Sequence, residues 1–128
     1  DLVPSPMNGI GLCQGNFSLM TDDLPSVIRH FGRLDRIGFV HFRDVRGTPA
    51  RFVETFHDDG QTDLLECLRA YRDIGYEGVL RPDHYPQMGD EGYDDELCLA
   101  RLFAVGYIKG LREAVYGKDQ EISDTPGR

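Results

Sequence analysis

The chain has 128 residues and a mass of 14.5 kDa, the length of one ordinary domain. Hydrophobic residues make up 40% and charged residues 28%, enough for a packed core under a solvated surface, which excludes global disorder. A net charge of −8 and an isoelectric point near 4.8 exclude electrostatic binding to nucleic acid or to an anionic membrane.

No apolar run approaches the roughly 18–20 residues of a membrane span, and no basic segment with an apolar stretch behind it opens the chain. The three cysteines, Cys13, Cys67 and Cys98, are far apart and form no CxxC pair. A disulfide framework is therefore not expected, and a reducing cytoplasm is. Asp1 rather than Met opens the chain, within a loop-like stretch, so a segment of a longer protein is expected.

Residues 1–9 carry two prolines and an Asn-Gly pair and read as loop. Ile10-Gly11-Leu12-Cys13 predicts a short buried strand. Thr21-Asp22-Asp23 is a helix-start signal, and Leu24, Val27, Ile28 and Phe31 follow at helical spacing, with Gly32 as a stop. Arg36 to Val45 is rich in β-branched and aromatic residues and predicts a strand. Residues 46–60 read as a long loop around Gly47, Pro49 and His57-Asp58-Asp59-Gly60. Asp63, three before Glu66, predicts a capped helix through Leu64, Leu65, Leu68, Tyr71 and Ile74, ended at Gly75. Glu77 to Arg81 predicts a third strand, stopped by Pro82, and residues 84–94 read as loop. From Asp95 to about Val115 a long apolar helix is expected. Cys67 and Cys98 fall at core positions of their helices. Gly106 and Gly110 suggest close helix packing. The body of the domain spans residues 1–116, and 117–128 is a polar tail.

The order β-α-β-α-β-α implies parallel strands joined by right-handed crossovers. Roughly three βα units fit either a small open sheet or part of a (β/α)8 barrel. The loops at 46–60 and 84–94 are longer than such units usually carry, and chemistry in these folds sits on the loops after the strands.

Each strand end delivers a side chain able to bind a metal: Cys13 after the first, His41 in the second, Asp83 after the third. Parallel strands bring their C-terminal ends side by side, so the three would converge. Each alone also has an ordinary structural use, as core filler, hydrogen-bonded imidazole or turn former. Softness of a thiolate–imidazole–carboxylate set favours zinc or iron over magnesium or calcium. His84 stands beside Asp83 as a proton-transfer group, and Tyr93 is a second candidate acid or base. Arg43 and Arg81 are candidates to clamp a substrate carboxylate, or to pair with nearby acids. His57, in its Asp-rich run, is a ligand-like residue or part of a solvated turn.

His41-Phe42-Arg43-Asp44-Val45-Arg46-Gly47, Phe56-His57-Asp58-Asp59-Gly60, Arg81-Pro82-Asp83-His84, Gly11-Leu12-Cys13-Gln14-Gly15-Asn16 and the run from Ala100 to Leu111 together resemble the mannonate dehydratase family, in order and almost to the end of the chain. The resemblance implies a parallel (β/α)8 TIM barrel of the xylose-isomerase-like type, of which this chain is the C-terminal part. It implies dehydration of D-mannonate to 2-dehydro-3-deoxy-D-gluconate, a step of glucuronate (hexuronate) catabolism, with a divalent cofactor, Mn2+ or Fe2+. By motif, Cys13, His41 and Asp83 match metal ligands, and His84 and Tyr93 match the catalytic pair. Arg43, Arg81 and His57 are left as substrate-binding candidates. The family's other metal-binding histidine lies upstream of the cysteine, where this chain has only loop. A homo-oligomer is expected for the full-length form.

The reaction would be a β-elimination in which the C2 proton and the C3 hydroxyl leave, His84 and Tyr93 sharing the roles of base and acid. The alternatives are another metal-dependent sugar isomerase or epimerase on the same barrel, and an inactive fragment lacking the upstream ligand.

Overall fold

The computed structural model describes residues 4–86 and 94–117, of which residues 94–98 by their backbone alone. Tyr93, residues 118–128 of the tail and the side chain of Cys98 lie outside what it describes. The elements run β1 (Ile10–Cys13), α1 (Gln14–Ser18), α2 (Leu24–Arg33), β2 (Ile37–His41), β3 (Val45–Thr48), β4 (Arg51–Glu54), α3 (Leu64–Asp73), β5 (Leu80–Arg81) and α4 (Asp94–Tyr116).

The expected alternation is present. Strands β1, β2 and β5 form one parallel sheet in that order, with α2 and α3 as the crossovers. Both helices pack on the same side, as right-handed connections require. Leu12 and Val40 send their side chains to that side and meet Leu24, Ile28, Leu64, Leu68 and Tyr71, all buried. Fully burying side chains of this size contributes about 1.5–3 kcal/mol each. Arg29 of α2 donates through Nε and Nη2 to Asp73 of α3, at 3.2 and 2.9 Å, across the rim of this contact.

Helix starts follow the sequence signals. Asp23 caps α2 by accepting from the Ser26 amide at 3.1 Å, and Asp63 caps α3 by accepting from the Glu66 amide at 3.0 Å. The Glu66 carboxylate turns to Arg69 rather than closing a capping box. Past α3, Gly75 takes φ +66°, a left-handed conformation that glycine adopts without a Cβ penalty.

The expected strand 36–45 is shorter, and for a visible reason. The chain leaves the sheet after His41, because the Phe42 carbonyl is taken by His57 and the Asp44 carboxylate is turned onto backbone amides. The expected loop 46–60 contains a hairpin: β3 and β4 are antiparallel, with Thr48 opposite Arg51 across Pro49 and Ala50. Helix α1 was not legible either, since five residues are too few to show a helical period. The third strand is reduced to Leu80–Arg81, paired with β2 alone among the described residues. Gly106 and Gly110 are not points of close packing: among the described residues, nothing lies within 4 Å of a Cβ built at either.

Candidate metal centre

Strand register decides the site. Cys13 pairs with His41 and His41 with Arg81, so the three strands end level. Side chains alternate along a strand. Leu12 and Val40 face the helices, so Cys13 and His41 stand on the opposite face of the sheet, where His41 makes an edge contact with Phe39 at a centroid distance of 5.2 Å. Two residues beyond Arg81, after Pro82 has ended the strand, Asp83 turns back over the same place. One ligand atom from each of Cys13, His41 and Asp83 lies within 4.8 Å of the other two. Metal–ligand bonds of about 2.0–2.3 Å place donors at such separations after small adjustments. The donor set is one thiolate sulfur, one imidazole and one carboxylate, and it fits a divalent transition ion better than calcium or magnesium.

Asp83 is the electrostatic centre of the group. Its side chain is 14% exposed, and Oδ2 lies 3.3 Å from each of three nitrogens: His41 Nδ1, Arg43 Nη1 and His84 Nε2. His84 is largely open to solvent, its side chain 59% exposed. Arg81 is exposed as well, and its register beside His41 puts it on the same face.

Arg43 and His57 are both buried, and Arg43 pairs with acids, one of the two uses its sequence position left open. Arg43 is only 5% exposed, its guanidinium turned inward onto Asp83, onto Asn16 Oδ1 at 3.2 Å and onto Glu54 Oε1 at 3.5 Å. His57 is 2% exposed, and its Nε2–H donates to the Phe42 carbonyl at 2.7 Å. Its ring sits between Phe42 and Tyr85, at centroid distances of 6.5 and 6.1 Å. Burial pushes the His57 imidazole below its ordinary pKa, which outweighs the Phe42 bond and the pull of Asp58.

Three contributors were not singled out from the sequence. Asn16 and Glu54 hold Arg43, and Asp44 ties two loops together. Asp44 is buried and accepts from the Val45 amide at 2.8 Å, from the Thr62 amide at 2.7 Å and from the Thr62 hydroxyl at 3.1 Å. Burial nevertheless pushes its carboxyl up, against the lowering effect of these donors. Asn16 ends the Gly-Leu-Cys-Gln-Gly-Asn segment. Glu54 had no sequence signal, because the hairpin that carries it had none.

Fold and donor set together define a class: a parallel α/β chain with a mixed sulfur–nitrogen–oxygen cluster able to hold a metal at the C-terminal ends of its strands, flanked by an exposed histidine. Residues 1–122 match the family model for D-mannonate dehydratase (UxuA). The chain therefore belongs to the mannonate dehydratase family. It is 44% identical over 125 residues to a mannonate dehydratase of Enterococcus faecalis, covering 91% of this chain and 34% of that protein. To one from Thermotoga neapolitana it is 40% identical over 121 residues, covering 88% of this chain and 33% of that protein. The crystal structure of mannonate dehydratase from Streptococcus suis matches with a TM-score of 0.71 at 27% identity, over 99% of this chain and 39% of that one. The chain thus spans about a third of the length of the curated relatives it matches. No helix among the described residues is long and apolar enough to cross a membrane.

Proposed function

We propose that this chain carries metal-ligating and proton-transfer residues of a mannonate dehydratase, which converts D-mannonate to 2-dehydro-3-deoxy-D-gluconate in glucuronate catabolism. The observation that carries the reading is the convergence of Cys13, His41 and Asp83 within 4.8 Å at level strand ends. The parallel order of β1, β2 and β5, with the likeness to the Streptococcus suis enzyme, supports a (β/α)8 barrel of the xylose-isomerase-like type that these units help to close.

Cys13, His41 and Asp83 would hold a divalent ion, Mn2+ or Fe2+. Bound there, such an ion supplies positive charge beside the substrate carboxylate, which makes the C2 proton of a sugar acid removable. Arg81, exposed on the same face, orients that carboxylate through paired N–H donors. The elimination breaks the C2–H and C3–O bonds and forms a C2–C3 double bond; the C3 oxygen leaves as water, and the enol product becomes the 2-keto acid. His84 and Tyr93 divide the proton transfers at C2 and at the leaving hydroxyl. His84 suits this work because it is open to the substrate side while Nε2 is held near Asp83.

The test is turnover of D-mannonate by the natural polypeptide that carries these residues, with Mn2+ or Fe2+ added and the 2-keto-3-deoxy product detected. His84→Asn is expected to lower kcat by 10²-fold or more, the range of a general acid or base. Retention of most of the turnover would remove His84 from the mechanism.

A further inference from the structure

We infer that Arg43 is a positioning residue that presents Asp83 to the metal, rather than a clamp on the substrate. The inference rests on the metal reading above.

Geometry carries it. Arg43 follows the ligand His41 by two residues, just past the end of β2, and its side chain is 6% exposed. It faces acceptors from three separate segments: Asn16 of α1, Glu54 of the hairpin and Asp83 after β5. The chain makes room for it at Gly15, where a Cβ would sit 2.5 Å from Arg43 Nε. A buried guanidinium with fixed partners has little freedom to follow a substrate.

The chemistry assigns its role. Arg43 engages Asp83 at Oδ2, the oxygen that also lies 3.3 Å from Nδ1 of His41, so the guanidinium fixes how the carboxylate is turned toward the other ligands. Hydrogen-bonded carboxylate ligands of this kind owe their orientation to such partners. Glu54 balances the Arg43 charge, so the cation does not repel an incoming divalent ion as strongly as a lone guanidinium would. The hairpin β3–β4 thereby becomes part of the metal centre through Glu54, although it contributes no ligand.

Arg43→Met and Arg43→Lys separate the possibilities when Mn2+ affinity is titrated directly, with the electron paramagnetic resonance spectrum of bound Mn2+ recorded alongside. A positioning role raises the Mn2+ Kd of Arg43→Met by about 10–100-fold. Arg43→Lys, which keeps the charge but not the planar fork, falls between and alters the Mn2+ spectrum. A substrate clamp would instead raise KM with the Mn2+ Kd unchanged, and that result would overturn the inference. If Arg43→Met does not fold, as judged by circular dichroism, Arg43→Lys decides alone: an unchanged Kd and spectrum would refute the role. Failure of the unsubstituted protein to bind Mn2+ is a separate outcome, which would remove the metal reading and this inference with it.

Discussion

Replacing Asp44 by Asn changes almost no volume but reverses one hydrogen bond. The carboxylate accepts from two backbone amides on opposite oxygens, Val45 on Oδ1 and Thr62 on Oδ2. In Asn one of those positions becomes an NH2 group, so whichever way the amide is turned, one buried N–H faces another donor. Losing a charge-assisted bond and leaving that donor unsatisfied costs about 2–3 kcal/mol. Against this stands relief from burying a charge, which burial already disfavours by pushing the Asp44 carboxyl up. The net expectation is a loss of about 1–2 kcal/mol. Urea unfolding followed by circular dichroism reads it as a lower midpoint at unchanged slope. An unchanged midpoint would refute the argument that Asp44 acts as a double acceptor joining the 43–45 turn to the loop at Thr62.

Other consequences follow from burial. The neutral His57 is favoured by the fold, so its folded pKa lies below the unfolded value near 6.5. Its stabilising contribution is present above that value and is lost as the pH falls toward the folded pKa; His57→Leu should flatten the stability–pH curve below about pH 6.5, and equal slopes for the two proteins would contradict it. The thiol of Cys67 is fully buried and its pKa is pushed up to about 12 by burial, so iodoacetamide should spare Cys67 in the native protein and modify it only in denaturant, as read by mass spectrometry. The Tyr71 hydroxyl is buried without a hydrogen-bond partner among the described residues, so Tyr71→Phe should leave thermal stability unchanged or raise it by up to about 1 kcal/mol. A clear loss would mean that this hydroxyl has a partner in the folded protein.

The sequence carried the larger features well, and the reasons are physical. The parallel order was legible because two amphipathic helices separate three apolar runs. The metal-capable trio was legible because strands β1, β2 and β5 place chemistry at their C-terminal ends, and register then brings Cys13, His41 and Asp83 together. The hairpin was hidden because its strands carry Arg, Gly, Thr and Glu on a largely exposed ribbon, with no alternating apolar face. Arg43 and His57 stay open in the sequence between a substrate and an ordinary structural use, because charge and imidazole suit either. Only the fold reveals that Asn16, Glu54 and Asp83 hold the one, and that the orphaned carbonyl of Phe42 holds the other.

The central claim is that Cys13, His41 and Asp83 share one divalent ion. Crystals of the natural polypeptide grown with Mn2+, and diffraction measured with anomalous signal from manganese, test it most directly. The expected result is a single strong anomalous peak within roughly 2.0–2.6 Å of Cys13 Sγ, a His41 ring nitrogen and an Asp83 carboxylate oxygen. A manganese peak bound away from these three residues, or none at all at saturating Mn2+, would contradict it.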